Sequence, residues 1–209
     1  MDIYTIIGLI ILLFSVILHE IAHGSVAYMQ GDPTAKMAGR LSLNPLRHLD
    51  PIGSVLLPLL LVLSQSPFVI GWAKPVPVNP SYFSDKRWGE LKVGAAGVIV
   101  NFSIAVIFSL ISRFVDLSPE FNKVIFMVAM YNFVLGFFNL IPLPPLDGSH
   151  ILFSLLNDRF PGLRSNLERY GMFILFALII SGLSWISMAS SYLFMLISGR
   201  SVFDILRFI

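Results

Sequence analysis

Two histidines and a glutamate, His19, Glu20 and His23, interrupt the otherwise apolar stretch FSVILHEIAHGSVAYM at residues 14–29. Each is costly in hydrocarbon, and an ionisable residue inside an apolar span marks a functional site whose partner lies elsewhere in the chain. In a helix, positions 19 and 23 share one face a turn apart, so both imidazoles can address a single metal ion. Glu20 lies about 100° around the same helix, beside that stripe, where it can take a proton from water without being a ligand. This is the H-E-x-x-H pattern of zinc hydrolases, in which the metal polarises a carbonyl and makes a water acidic near neutral pH. The plainer alternative is a packing role, with the three side chains hydrogen-bonded between helices. Three costly groups at ligand spacing, in a chain with only four histidines, favour the metal.

A catalytic zinc takes three protein ligands and keeps one position open. The chain has no cysteine, so the third ligand is a histidine or a carboxylate. The candidate is Asp147, in FFNLIPLPPLDGSHI at residues 137–151. Pro142, Pro144 and Pro145 stop the preceding helix, and Gly148 lets the chain approach the site closely. Asp147 is also placed to cap the helix that follows, GSHILFSLL, and the two roles are compatible. One zinc per chain is expected, held by His19, His23 and Asp147. His48, in a polar loop, and His150, three residues past the aspartate, read as structural.

The elements that must position these residues follow from composition. Of 209 residues 56% are apolar and 12% charged, against about 25% charged in a soluble domain, and mean hydropathy is +0.82. The expectation is an all-α polytopic membrane protein, a single membrane-embedded domain over residues 1–209. Apolar segments run at about 3–29, 52–70, 89–112, 122–143, 145–156 and 170–198, the last with a break at 181–184. That makes about five to six membrane segments of roughly 20 residues each. The amino terminus has an acidic residue and no small-residue cleavage site, so it reads as a retained helix. A net charge of +2 spread through loops argues for lipid contact and against nucleic acid.

Two polar loops contain Lys36, Arg40, Arg47, Lys74, Lys86 and Arg87, which places both on the cytoplasmic side. The segment between them, 52–70, must then leave and return on the same face, a re-entrant hairpin broken at Pro58 and around SQSP, 64–67. An ordinary span is the alternative. The hairpin brings the helices that carry His19 and Asp147 into the same direction, so both reach similar depth on the cytoplasmic side. In KPVPVN, 74–79, alternating prolines exclude helix and predict a short extended strand near the membrane.

Together these motifs resemble the site-2 protease family of intramembrane zinc metalloproteases. The match comprises HEIAH, RLSLNPLRHLDPIG, GWAKPVPVNP, GAAGVIVN and NLIPLPPLDG, in family order over about residues 10–155. The resemblance implies a zinc-dependent endopeptidase that cleaves membrane-protein substrates in or near their membrane segments. It implies that His19, His23 and Asp147 bind the zinc, that Glu20 is the catalytic acid and base, and that Asn139 helps hold the substrate or polarise its carbonyl. Val98 stands where the family motif has proline, so Gly94, Gly97 and Asn101 read as a close-packing face with an interhelical hydrogen bond. A compact form is expected, without PDZ or CBS domains, in the plasma membrane of a prokaryote. Residues 74–79 are expected to pair with an extended substrate, and helices in 170–198 to gate its entry. The rivals are a zinc or proton transporter and a catalytically inactive membrane scaffold. No oligomeric state follows from the sequence.

Overall fold

Inside a bilayer no water satisfies the backbone, so an apolar chain folds as helices that close their own hydrogen bonds. The computed structural model describes residues 2–64, 74–156 and 160–201, and among the described residues no β-strand forms. Helix α1, Ile3–Met29, has 27 residues, about 40 Å at 1.5 Å per residue. It ends just before Gly31, which turns the chain at φ 100°. A single turn, α2, Thr34–Met37, follows. Pro51–Leu56 winds as a π-helix into α3, Leu57–Leu63. Helices α4, Gly89–Phe114, and α5, Pro119–Asn139, are joined through 115–118, and Pro119 supplies a φ already suited to the first turn of α5. Next come α6, Asp147–Leu156, α7, Pro161–Ser181, and α8, Ser184–Ser198.

By length and composition α1, α4 and α5 can each cross a membrane, and α7 with α8 makes a fourth if that bent pair is one span. The pair bends by 72° at the expected break, where Gly182 has φ 93°. Helix α7 starts earlier than the apolar run at 170 because its polar first turns stay helical, with Arg164 pairing to Glu168 at 3.0 Å. Segment 52–70 is helical through Leu63; the turn expected around 64–67 falls mostly in 65–73, outside the described residues.

Side-chain pairings give the helix directions. Along α1, His19 meets Asn101 and His23 meets the Val93 carbonyl, so α1 and α4 are antiparallel. Gly8 lies against Met127 and Tyr131, and Ser15 bonds Asn132, so α1 and α5 run the same way. The chain between α1 and α4 therefore begins and ends at one end of the bundle, where Ser84 N–H donates to the Gln30 carbonyl at 2.7 Å.

Helix α4 is central, packed on α1, α5, α6 and α8. Helices immersed in lipid gain little from burying apolar surface, so small residues that admit close contact drive their packing. Ala105 and Ala129 serve this purpose, with Phe133 and Phe194 filling the remaining space. Outward-facing residues stay apolar, among them Ile6, Leu9 and Ile10 on α1 and Ile99 and Ile107 on α4. So large an exposed apolar belt belongs against lipid.

Between α1 and α4, residues 74–79 are pinned at several points. Lys74 N–H donates to the His48 carbonyl at 2.9 Å. Arg40 donates to the carbonyls of Lys74 and Pro75. Val76 N–H donates to Glu20 Oε2 at 2.8 Å, and Asn79 N–H to Asp32 Oδ2 at 2.7 Å. The run is thus tied down by side chains and a loop carbonyl rather than by a neighbouring strand.

Asp32 is fully buried. Burial disfavours its charged form, but the Asn79 N–H and the Thr34 hydroxyl and N–H donate to it and hold its carboxyl below the usual range. Because the folded value lies below the unfolded value of about 3.9, its contribution to stability is complete above the unfolded value. That contribution is lost as pH falls through the folded value. Asp32→Asn should destabilise the protein at pH 7 by about 1–3 kcal/mol and flatten the acid limb of a stability-against-pH curve. An unchanged acid limb would take Asp32 out of the account.

Candidate metal centre

The helical period brings His19 and His23 to one face of α1, and α6 brings a carboxylate to them from the far end of the sequence. Asp147 Oδ2 lies 3.1 Å from His19 Nε2 and 3.2 Å from His23 Nε2, and the two Nε2 atoms are 3.0 Å apart. Asp147 opens α6. Its approach depends on Gly148, where a side chain would come within 2.6 Å of the Leu140 carbonyl carbon at the end of α5.

The outer nitrogens fix what the inner ones can do. His23 Nδ1–H donates to the Val93 carbonyl at 2.7 Å, and His19 Nδ1–H to Asn101 Oδ1 at 2.8 Å. A neutral imidazole with its proton on Nδ1 presents a lone pair at Nε2. Asp147 Oδ2 is buried and has no hydrogen-bond partner among the described residues. Three acceptors thus converge at 3.0–3.2 Å, an arrangement that repels itself unless a cation sits between them. The spacing suits ligand atoms around one ion with bonds of about 2.0–2.2 Å. Two nitrogens and a carboxylate oxygen are a donor set zinc accepts, so the residues present fit the metal that the motif implies.

Gly97 of α4 makes room for the imidazoles: a methyl group there would lie 2.6 Å from His19 Nδ1. Gly97→Ala should therefore push His19 out of line. The expected result is weaker zinc binding and about 1–3 kcal/mol lost to overpacking, measured by metal content and thermal unfolding. Full zinc occupancy in a stable Gly97→Ala protein would contradict this placement.

Beside the triad a cavity of about 350 Å³ opens, with Glu20, His23, Val76, Val78, Asp147 and His150 among its lining residues. Glu20 is half-buried on that wall and held by the Val76 N–H. The structure therefore brings four of the expected site residues together: His19, Glu20, His23 and Asp147. Asn139 stands apart; its Nδ2 donates to the Leu135 carbonyl of its own helix at 3.0 Å, and it is not among the residues lining the cavity. Asn101 makes the interhelical hydrogen bond expected of it, but its partner is His19. His48 is buried, donating from Nε2 to the Ser42 carbonyl at 2.7 Å, whereas His150 is exposed on the cavity wall. Sequence reasoning missed the Val93 carbonyl, the Val76 N–H and Asn132. Asn132 alone carried a signal, as a fully amidic side chain in the apolar run of α5.

Residues 116–182, which include Asp147, match the model of peptidase family M50. YwhC of Bacillus subtilis, provisionally named a zinc metalloprotease, is 38% identical over 192 residues, covering 86% of this chain and 81% of that protein. A zinc metalloprotease of Methanocaldococcus jannaschii is 31% identical over 158 residues, 75% of this chain and 37% of its own. Rip2 of Mycolicibacterium smegmatis, also provisionally named a zinc metalloprotease, is 28% identical over 171 residues, 81% of this chain and 64% of that one. No solved structure matches. The similarity to YwhC extends over most of both chains, and on that ground the chain belongs to peptidase family M50, the family of the site-2 proteases.

Proposed function

We propose that the protein is a zinc-dependent intramembrane endopeptidase, with one zinc per chain held by His19, His23 and Asp147. The observation that carries this reading is the convergence of three acceptor atoms beside a cavity on whose wall a fourth group, Glu20, stands free of that triangle. A bound zinc would supply Lewis-acid polarisation of the scissile carbonyl and lower the pKa of a water. The remaining work falls to the chain itself. Glu20 takes the proton from the attacking water and delivers it to the departing amine nitrogen, while the Val76 N–H keeps its other oxygen in place. Asn139 is assigned to the substrate carbonyl on resemblance alone, and Asn139→Ala tests that assignment.

The substrate is a membrane-protein segment that has lost its helical hydrogen bonds near the cut, because an intact helix hides its carbonyls. Val76 and Val78 line the cavity, and pairing with the main chain of 74–79 would align an extended peptide whatever its sequence. Pro75 and Pro77 offer no N–H, and the Lys74, Val76 and Asn79 N–H groups are given to His48, Glu20 and Asp32, which confines donation to the incoming peptide to Val78. The α1 and α4 directions support a re-entrant 52–70 within a fold of about five to six membrane segments, a single domain over the whole chain. The basic loops support a site toward the cytoplasmic side of a prokaryotic plasma membrane. The bent pair α7–α8 would flank lateral entry.

The experiment is cleavage of single-span membrane peptides by the purified protein in liposomes, with product masses mapped before and after chelation and zinc return. Discrete cuts near the membrane segment that vanish with the metal and return with zinc support the proposal. Intact peptides throughout, with a zinc-loaded enzyme, contradict it.

A further inference from the structure

The two imidazoles are held differently on their outer sides. His23 Nδ1 faces the Val93 backbone carbonyl, which can only accept. His19 Nδ1 faces Asn101, and an amide side chain can offer either its oxygen or its NH2 group. With the NH2 group toward the ring, the histidine proton would move to Nε2 and the ligand atom would become a donor. Asn101 must therefore be held with its oxygen toward His19.

What holds it is Asn132. Asn101 Nδ2 donates to Asn132 Oδ1 at 3.3 Å. Asn132 is oriented in turn: its Nδ2 donates to the Val128 carbonyl at 2.9 Å and to Ser15 Oγ at 2.9 Å. The Val128 carbonyl belongs to α5 and accepts only, so turning the Asn132 amide over would set two oxygens against each other. Asn101 and Asn132 both have no exposed surface, so solvent does not relieve a wrong orientation.

We infer that Asn132 is a positioning residue of the metal centre: acting through Asn101, it fixes His19 as the tautomer whose Nε2 is free to bind zinc. This rests on the zinc reading above. The relay is serial, from the Val128 carbonyl through Asn132 and Asn101 to His19, and it joins α5, α4 and α1 at one level. A helix-packing role alone would tolerate leucine at 132 at least as well as aspartate. The relay demands the reverse, because an aspartic acid kept protonated by burial accepts from Asn101 Nδ2 with one oxygen while its O–H donates to the Val128 carbonyl, and a leucine does neither.

The test is zinc affinity, measured by chelator competition on the purified chain. Second-sphere partners of metal-ligating histidines are worth about 10–100-fold in affinity; Asn101→Leu should lose an amount in that range, and Asn132→Leu, one step further out, should show a measurable loss no larger than that of Asn101→Leu. Asn132→Asp should stay near the wild type. The double variant Asn101→Leu with Asn132→Leu should be no weaker than Asn101→Leu alone, since one acts through the other. Ser109→Ala is the control, for Ser109 is buried on α4 and bonds the Ala105 carbonyl of its own helix; it should not change affinity. Wild-type affinity in Asn132→Leu, equal losses in the Leu and Asp variants, or losses that multiply in the double variant would overturn the inference. If Asn132→Leu does not fold, Asn132→Asp decides alone, and a loss of about tenfold or more overturns it. A wild type without zinc, or zinc that survives Asp147→Ala, would overturn the metal reading itself.

Discussion

Glu20→Gln should keep its zinc and lose about 10²- to 10⁴-fold in hydrolytic rate. Glutamine has nearly the shape of glutamate, and its carbonyl oxygen can still accept the Val76 N–H now held at 2.8 Å. The proposed ligand atoms are those of His19, His23 and Asp147, which lie close enough together to hold one ion, so nothing at the metal should change. What disappears is the ability to take a proton from water and pass it to the leaving nitrogen, and the loss can exceed the range above when one group serves both transfers. Cleavage in liposomes, read beside zinc content, measures it. A zinc or proton transporter would keep its flux in this variant, and an inactive scaffold would show no cleavage even as wild type. Near-normal cleavage by Glu20→Gln would assign the base to another residue.

Asp147 separates ligation from helix capping. Asparagine caps a helix as well as aspartate does, so a capping residue would tolerate Asp147→Asn with its metal unchanged. A ligand would not, because the buried Oδ2 would be replaced by a neutral group facing two imidazole nitrogens. Both Asp147→Asn and Asp147→Ala should therefore be purified largely without zinc and without measurable cleavage. The loss should exceed the roughly 10–100-fold typical of a second-sphere change. Stoichiometric zinc in either variant would remove Asp147 from the site.

The parts of this site that a sequence can show are those fixed by local geometry. His19, Glu20 and His23 were legible because a helix dictates which side chains share a face. Asp147 was legible because prolines at 142, 144 and 145 must end a helix there. The break between α7 and α8 was visible for the same reason, in the glycine and serines at 181–184. Contacts set by the register between helices were not visible: Asn101 reads as an interhelical partner, but only the packing of α4 on α1 makes that partner His19. Nor does any local pattern say that the Val76 N–H will reach Glu20, since 56 residues of chain separate them. The prolines of 74–79 predict an extended strand. Its Lys74, Val76 and Asn79 N–H groups go instead to the His48 carbonyl, Glu20 and Asp32, and its Lys74 and Pro75 carbonyls to Arg40.

The central claim is that one zinc is held by two imidazoles and a carboxylate. Zinc-edge X-ray absorption of the wild-type protein counts the imidazoles directly. The account predicts two per zinc, falling to one in whatever fraction of His23→Ala still binds metal. Three imidazoles, which would recruit His150 from the cavity wall, or a spectrum unchanged by His23→Ala, would contradict it.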